Sequence, residues 1–313
     1  MRWKIMMVLL HLITITITSE AWYKRPIFFV SNRDGQDAIY YMNEKGKITK
    51  IFTPPEELLG STRIVIGMSL SPMGDQIAFS MLSGELCTVK INGLDFKILG
   101  RGASPSWSPD GREIVFTAKE GICSINLRTL EIRKISDDGG RPEWSPNGEV
   151  IAFNRNREQI VLINPDGTNP RVIYDAKSGP VKYLGNLAWS PDGKMIAFVA
   201  SVRETISVID SDGENFKFLF PNPRGEIRAM IGVDSPCWSF DGKEIVFMRT
   251  KSEVSSNWDI YIMNHNGFNK RPVIATDFYE GSPIFAKPYY DVSPLEAIKI
   301  GIWGMIKCIP LSQ

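Results

Sequence analysis

Histidine is almost missing from this chain: 313 residues contain two, His11 and His265. A serine-type nucleophile needs a histidine beside it. His11 lies in an apolar N-terminal run and His265 in a glycine-containing turn, and no Gly-x-Ser-x-Gly elbow occurs. Cysteine is also scarce. Cys87, Cys123, Cys237 and Cys308 form no Cys-x-x-Cys pair and there is no paired histidine, so no zinc site is expected. Cys87 and Cys123 recur at similar places in successive repeats, too far apart to bridge, and free, mostly buried thiols are expected. Net charge is lacking too. Lys and Arg number 36 against 35 Asp and Glu. That balance offers no basic stripe for nucleic acid, so no nucleic-acid partner is expected. No low-complexity tract points to disorder.

Long apolar runs are confined to the start. Arg2 and Lys4 precede a mostly apolar stretch from Ile5 to Ile17, and Ser19-Glu20-Ala21 supplies small residues at the cleavage positions. This is the layout of an export signal. The run is short of the roughly 20 residues a bilayer span needs. The expected organisation is a signal peptide over 1–21, one folded unit over 22–286, and a tail over 287–313. After cleavage no transmembrane segment is expected, and the location is periplasmic or secreted. In the tail, Ser293-Pro294-Leu295-Glu296 reads as a helix start. Leu295, Ile298, Ile302, Met305 and Ile309 follow on one helical face.

Against these absences stands a repeat. Ser71-Pro72-Met73-Gly74 is echoed by Ser108-Pro109-Asp110-Gly111, Ser145-Pro146-Asn147-Gly148, Ser190-Pro191-Asp192-Gly193 and Ser239-Phe240-Asp241-Gly242. Proline presets φ, Asp or Asn suits the next position, and glycine takes the left-handed conformation, so each phrase is a tight hairpin. A short β-like run follows each, such as Glu113-Ile114-Val115-Phe116. Trp107, Trp144, Trp189 and Trp238 precede four of them. A second turn recurs at Asn43-Glu44-Lys45-Gly46, Asn92-Gly93, Asn164-Pro165-Asp166-Gly167, Asp210-Ser211-Asp212-Gly213 and Asn264-His265-Asn266-Gly267. Four short strands per unit of roughly 40–45 residues make a propeller blade.

Five units are complete. Three strands before them, over 26–52, lack an innermost partner, and Gly281-Ser282-Pro283-Ile284-Phe285-Ala286 matches the missing strand. The expected fold is therefore all-β, a six-bladed β-propeller closed by pairing of N- and C-terminal strands, which leaves no open edge at the join. Asn32-Arg33-Asp34-Gly35, the Ser-Pro-Asp-Gly turns and Trp258-Asp259-Ile260-Tyr261-Ile262-Met263-Asn264 resemble the WD-like repeats of the TolB propeller family. The resemblance covers about residues 25–286. It implies a binding propeller of the envelope without the α/β domain that precedes the propeller in TolB itself.

The four repeated tryptophans share one position, and filling the seams between blades accounts for all of them better than sugar stacking does. Trp258 falls outside this register, and partial exposure is expected for it. Asp166, Asp210 and Asp212 supply oxygens, but hairpin turns use Asp for backbone reasons and the full calcium loop is absent. No cofactor and no metal is expected, calcium being the one ion weighed and set aside. Polar residues that break the repeat near the innermost strands are the binding candidates at one mouth of the channel: Arg141, Glu143, Asn186, Arg228, Asp234 and Glu280. The expected role is non-catalytic, gripping a protein, peptide or glycan. The alternative is a lyase or glycosidase using Glu143 or Glu280, which would need a second carboxylate or a metal across the mouth.

Overall fold

The computed structural model describes residues 25–55, 65–181, 183–200, 205–219, 232–250 and 257–287. The predicted signal, Arg228 and the C-terminal segment from 288 lie outside the described residues. Within them every regular element is a strand, and the strands form six four-stranded antiparallel sheets. The innermost strands of blades one to six are Glu280–Phe285, Val65–Leu70, Ala103–Trp107, Gly140–Trp144, Leu184–Trp189 and Val233–Trp238. Each packs on the next, and the sixth returns to the first. Closure is as the repeat arithmetic requires. Glu280–Phe285 pairs with Ile27–Ser31, with Ile27 opposite Phe285 and Ser31 opposite Glu280.

A ring of radial blades has no single centre of hydrophobic packing. Instead, six apolar clusters fill the six seams, each drawing residues from two neighbouring blades. The run after each first turn explains why. In a strand, residues alternate between faces, and both faces of a blade are covered, so whole runs are apolar rather than every second residue. Phe29, Phe79, Phe116, Phe153, Phe198 and Phe247 occupy one position in the six blades, all at 2% exposure or less. Burying each contributes roughly 1.5–3 kcal/mol.

The hairpins after the innermost strands are capped by their serine. Ser108 Oγ accepts from Glu113 N at 2.9 Å and donates to Asp110 at 2.7 Å, and Gly111 N donates to Ser108 O at 2.9 Å. The same bonds recur at Ser190 and Ser239. Gly111, Gly193 and Gly242 have φ of 72°, 70° and 68°, the left-handed backbone expected of them. The prolines of these turns then interlock. The α-face of each of these glycines meets the proline of the preceding blade's turn, Pro72, Pro146 and Pro191 respectively. Proline, aspartate and glycine account for the backbone of the turn, and the serine, which the turn propensities do not single out, closes the hairpin from its side chain.

Candidate functional site

The innermost strands surround a channel that holds a cavity of about 580 Å³. Its two ends differ in chemistry. At the turn end stand Pro72, Pro109, Pro146, Pro191, Phe240 and Lys287. Phe240 takes the place proline holds in the other turns. Lys287 Nζ sits 5.9 Å from its ring centroid and bonds the Pro72 carbonyl. This rim is apolar apart from one amine already engaged.

The opposite end is set by a bulge. All six innermost strands slip register against their neighbours at the same place. A bulge bends a strand and re-aims its side chains. Counting three residues back from each Trp107-type position gives Gly67, Ser104, Arg141, Asn186, Ser235 and Ser282. Of these, Gly67, Ser104, Arg141, Ser235 and Ser282 have φ between 45° and 73°. The preceding blade holds these backbones. Thr117 Oγ1 accepts from Arg141 N at 2.8 Å, and Ser80 Oγ accepts from Ser104 N at 3.3 Å.

Three of the expected residues line the channel: Arg141, Glu143 and Asn186. Glu143 lies two residues beyond the bulge, and the Ser106 hydroxyl donates to its carboxylate at 2.9 Å. Burial pushes the Glu143 carboxyl up to about 8, against a small opposing effect of that hydroxyl. Asn186 donates to Asp234 Oδ1 at 2.8 Å and to Ser235 Oγ at 3.2 Å. Asp234 is not on the channel wall but directly behind Asn186, where Ser235 N also bonds it at 2.7 Å. Burial raises its pKa, and the Ser235 amide, Arg141 and Arg157 pull the other way. Burial lowers the Arg141 pKa, opposed by Asp234 and reinforced by Arg157.

Glu280 sits away from the channel wall. It lies two residues before the bulge, fully buried, and its side chain turns into the blade rather than the channel. Arg33 donates to it at 2.8 Å and the Thr276 hydroxyl at 2.7 Å. Arg33 in turn stacks over Phe29 and Tyr40, at 5.3 and 5.0 Å from their ring centroids. A carboxylate so enclosed holds the first blade together and is not presented to a ligand in the channel.

The tryptophans belong to the seams. Trp189 Nε1 donates to Glu143 O and Trp238 Nε1 to Ala188 O, both at 3.2 Å, each tying one blade to its predecessor. Trp107 and Trp238 are buried. Trp258, expected to be partly exposed, is so. Cys87, Cys123 and Cys237 are unpaired, the first two buried. Among the described residues no cluster of His, Cys, Asp or Glu could hold a metal ion, and no helix is long and apolar enough to cross a membrane.

Comparison with known proteins places the architecture. The sequence profile of the TolB beta propeller domain matches residues 54–283. TolB from Acinetobacter baumannii is similar in structure, with 16% identity, a TM-score of 0.67, and coverage of 84% of this chain and 67% of that one. A chain of the nidogen/laminin complex follows at 11% identity and a TM-score of 0.66, covering 84% and 98%. Oligogalacturonate lyase from Vibrio parahaemolyticus matches at 14% identity and a TM-score of 0.51, covering 79% and 74%. At these identities the likeness is one of fold. No curated protein matches the chain.

Proposed function

The chain belongs to the TolB beta propeller domain family, and from that premise we propose that it is a binding propeller of the periplasm or cell exterior, gripping a protein, peptide or glycan at the Arg141 end of its channel. Its domain plan is a signal over 1–21, the propeller over 22–286 and a tail over 287–313. The observation that carries the reading is the contrast between the two ends. One is a collar of prolines completed by Phe240 and Lys287. The other gathers Arg141, Asn186 and Ser235 around an opening into a cavity of about 580 Å³. Apolar walls with a few convergent polar groups are the usual make-up of a ligand site. Glu143 is the one carboxylate among the described lining residues, whereas glycosidase chemistry ordinarily uses a pair.

The test is a pull-down from envelope extract with the mature chain and with Asn186→Trp, whose indole fills the mouth. The wild type should retain a partner that the variant, folded by circular dichroism, has lost. Equal retention would place binding elsewhere. A second reading has one observation in its favour. A carboxyl held near 8 is poised to donate or accept a proton at neutral pH, so Glu143 would be the acid or base of a propeller enzyme. Turnover of a carbohydrate by the wild type, lost in Glu143→Gln, would establish it.

A further inference from the structure

The ring of bulge residues contains one that does not fit its neighbours. Gly67, Ser104, Ser235 and Ser282 are small, as a left-handed backbone on a crowded channel wall favours, and Asn186 completes the ring. Arg141 carries the longest side chain of the set on a φ of 55°. Non-glycine residues held there cost on the order of 1–3 kcal/mol and concentrate at functional positions. Its guanidinium is partly buried and makes no hydrogen bond or ion pair with any described residue, while its backbone N–H is held by Thr117. A desolvated cation without a partner is expensive.

A second strained arginine stands beside it. Asn156 and Arg157, the centre of the hairpin between Ile151–Arg155 and Gln159–Ile163, have φ of 54° and 59°. Such turns take glycine at the second of these positions by preference, yet here it is Arg157. Its charge acts on both Arg141 and Asp234. Asp234 is the nearby acid, but Asn186 and the Ser235 amide already occupy it. Among the described residues two guanidinium groups therefore share one committed carboxylate, Glu143 is the other acid on the channel wall and is held toward its neutral form, and the Arg141 fork is left unfilled.

We propose that this mouth binds a carboxylate carried on an acidic peptide segment, seated on Arg141 with Arg157 at the rim. The inference rests on the binding reading above and adds the chemistry of the ligand. An arginine fork matches a carboxylate by two parallel hydrogen bonds. A peptide is favoured over an acidic glycan because a sugar ring is usually gripped against an exposed aromatic face. Here the tryptophans on the channel wall stand three residues beyond the Arg141 ring, toward the turn end, and pack into the seams, with Trp189 and Trp238 tied to backbone carbonyls.

The probe is an acetylated, amidated peptide of alternating glycine and glutamate, with its glutamine counterpart and a short galacturonate oligosaccharide as comparisons, titrated calorimetrically into the mature chain. The glutamate peptide should bind and the glutamine peptide should be weaker by about ten- to hundredfold. Arg141→Gln should lose the same factor, Arg141→Lys should fall between, and Asn186→Trp should abolish binding. Added salt should weaken the interaction. Equal binding of the two peptides by the unmodified chain, or no binding of either, overturns the inference whatever the variants do. If Arg141→Gln binds like the wild type while Asn186→Trp does not, the carboxylate assignment falls and the mouth reading survives. Binding unaffected by both substitutions removes both. Oligosaccharide binding without peptide binding replaces the peptide by a glycan.

Discussion

Replacing Glu143 by glutamine should change how stability depends on pH, in a direction fixed by where the side chain sits. The carboxyl titrates near 8 in the fold and near 4.5 as a free side chain. Between those values the folded chain holds a proton that the unfolded chain has released. Stability from this group is complete below about pH 4.5 and drains away as pH rises through about 8, by up to about 1.4 kcal/mol per pH unit. The whole shift sets a ceiling of about 5 kcal/mol. Glu143 is not sealed, because the channel opens to solvent beside it, and screening there should bring the measurable loss to about 1–3 kcal/mol. Glutamine has the same shape, still accepts from the Ser106 hydroxyl, and does not titrate. Urea unfolding of both proteins at several pH values is the assay. The two should match near pH 5, and Glu143→Gln should be the more stable by about 1–3 kcal/mol at pH 9. Parallel curves over that range would show that Glu143 ionises freely in the channel and would refute the burial argument.

Other positions give independent checks. Gly193→Ala meets only left-handed strain, since the nearest atom to an added Cβ is 3.9 Å away, whereas at Gly267 that Cβ would land 1.7 Å from the Leu219 carbonyl oxygen. The first should cost about 1 kcal/mol and the second several times more, so equal melting-temperature losses would contradict the assigned contacts. Phe153→Ala, at 0% exposure in one seam, should destabilise by about 3–5 kcal/mol in denaturant, and a loss below 1 kcal/mol would mean the seams are loosely packed. Deleting residues 282–313 removes most of the strand that closes the first blade and should yield an aggregating product by size-exclusion chromatography. A monomer of unchanged melting temperature would sink the closure.

Much of the fold was legible because the repeat is a physical necessity written in text. A left-handed glycine, a proline that presets φ and an apolar run recur wherever a blade recurs, and counting them gives the ring and its closure. The site was less legible, and the bulge is the reason. Arg141 and Asn186 sit on it and Glu143 two residues past it, and all three reach the channel. Asp234 is one residue short and Glu280 two short, so the bend sends Asp234 behind Asn186 and Glu280 into the blade against Arg33. Counting three residues back from each repeated tryptophan would have drawn that line. Nothing in sequence spacing shows which residues at that register lack partners. Arg141 stands out because its guanidinium makes no direct hydrogen bond or ion pair with a described residue, and that is a property of the assembled ring.

The central claim is that partners are gripped at the Arg141 end of the channel. Photo-crosslinking in intact cells tests it most directly, with the reactive residue placed either at Asn186 on that mouth or at Met73, which is 72% exposed in a turn at the opposite end. The account predicts a defined covalent adduct from position 186, suppressed by Arg141→Gln, and none from position 73. An adduct from position 73 alone would contradict it.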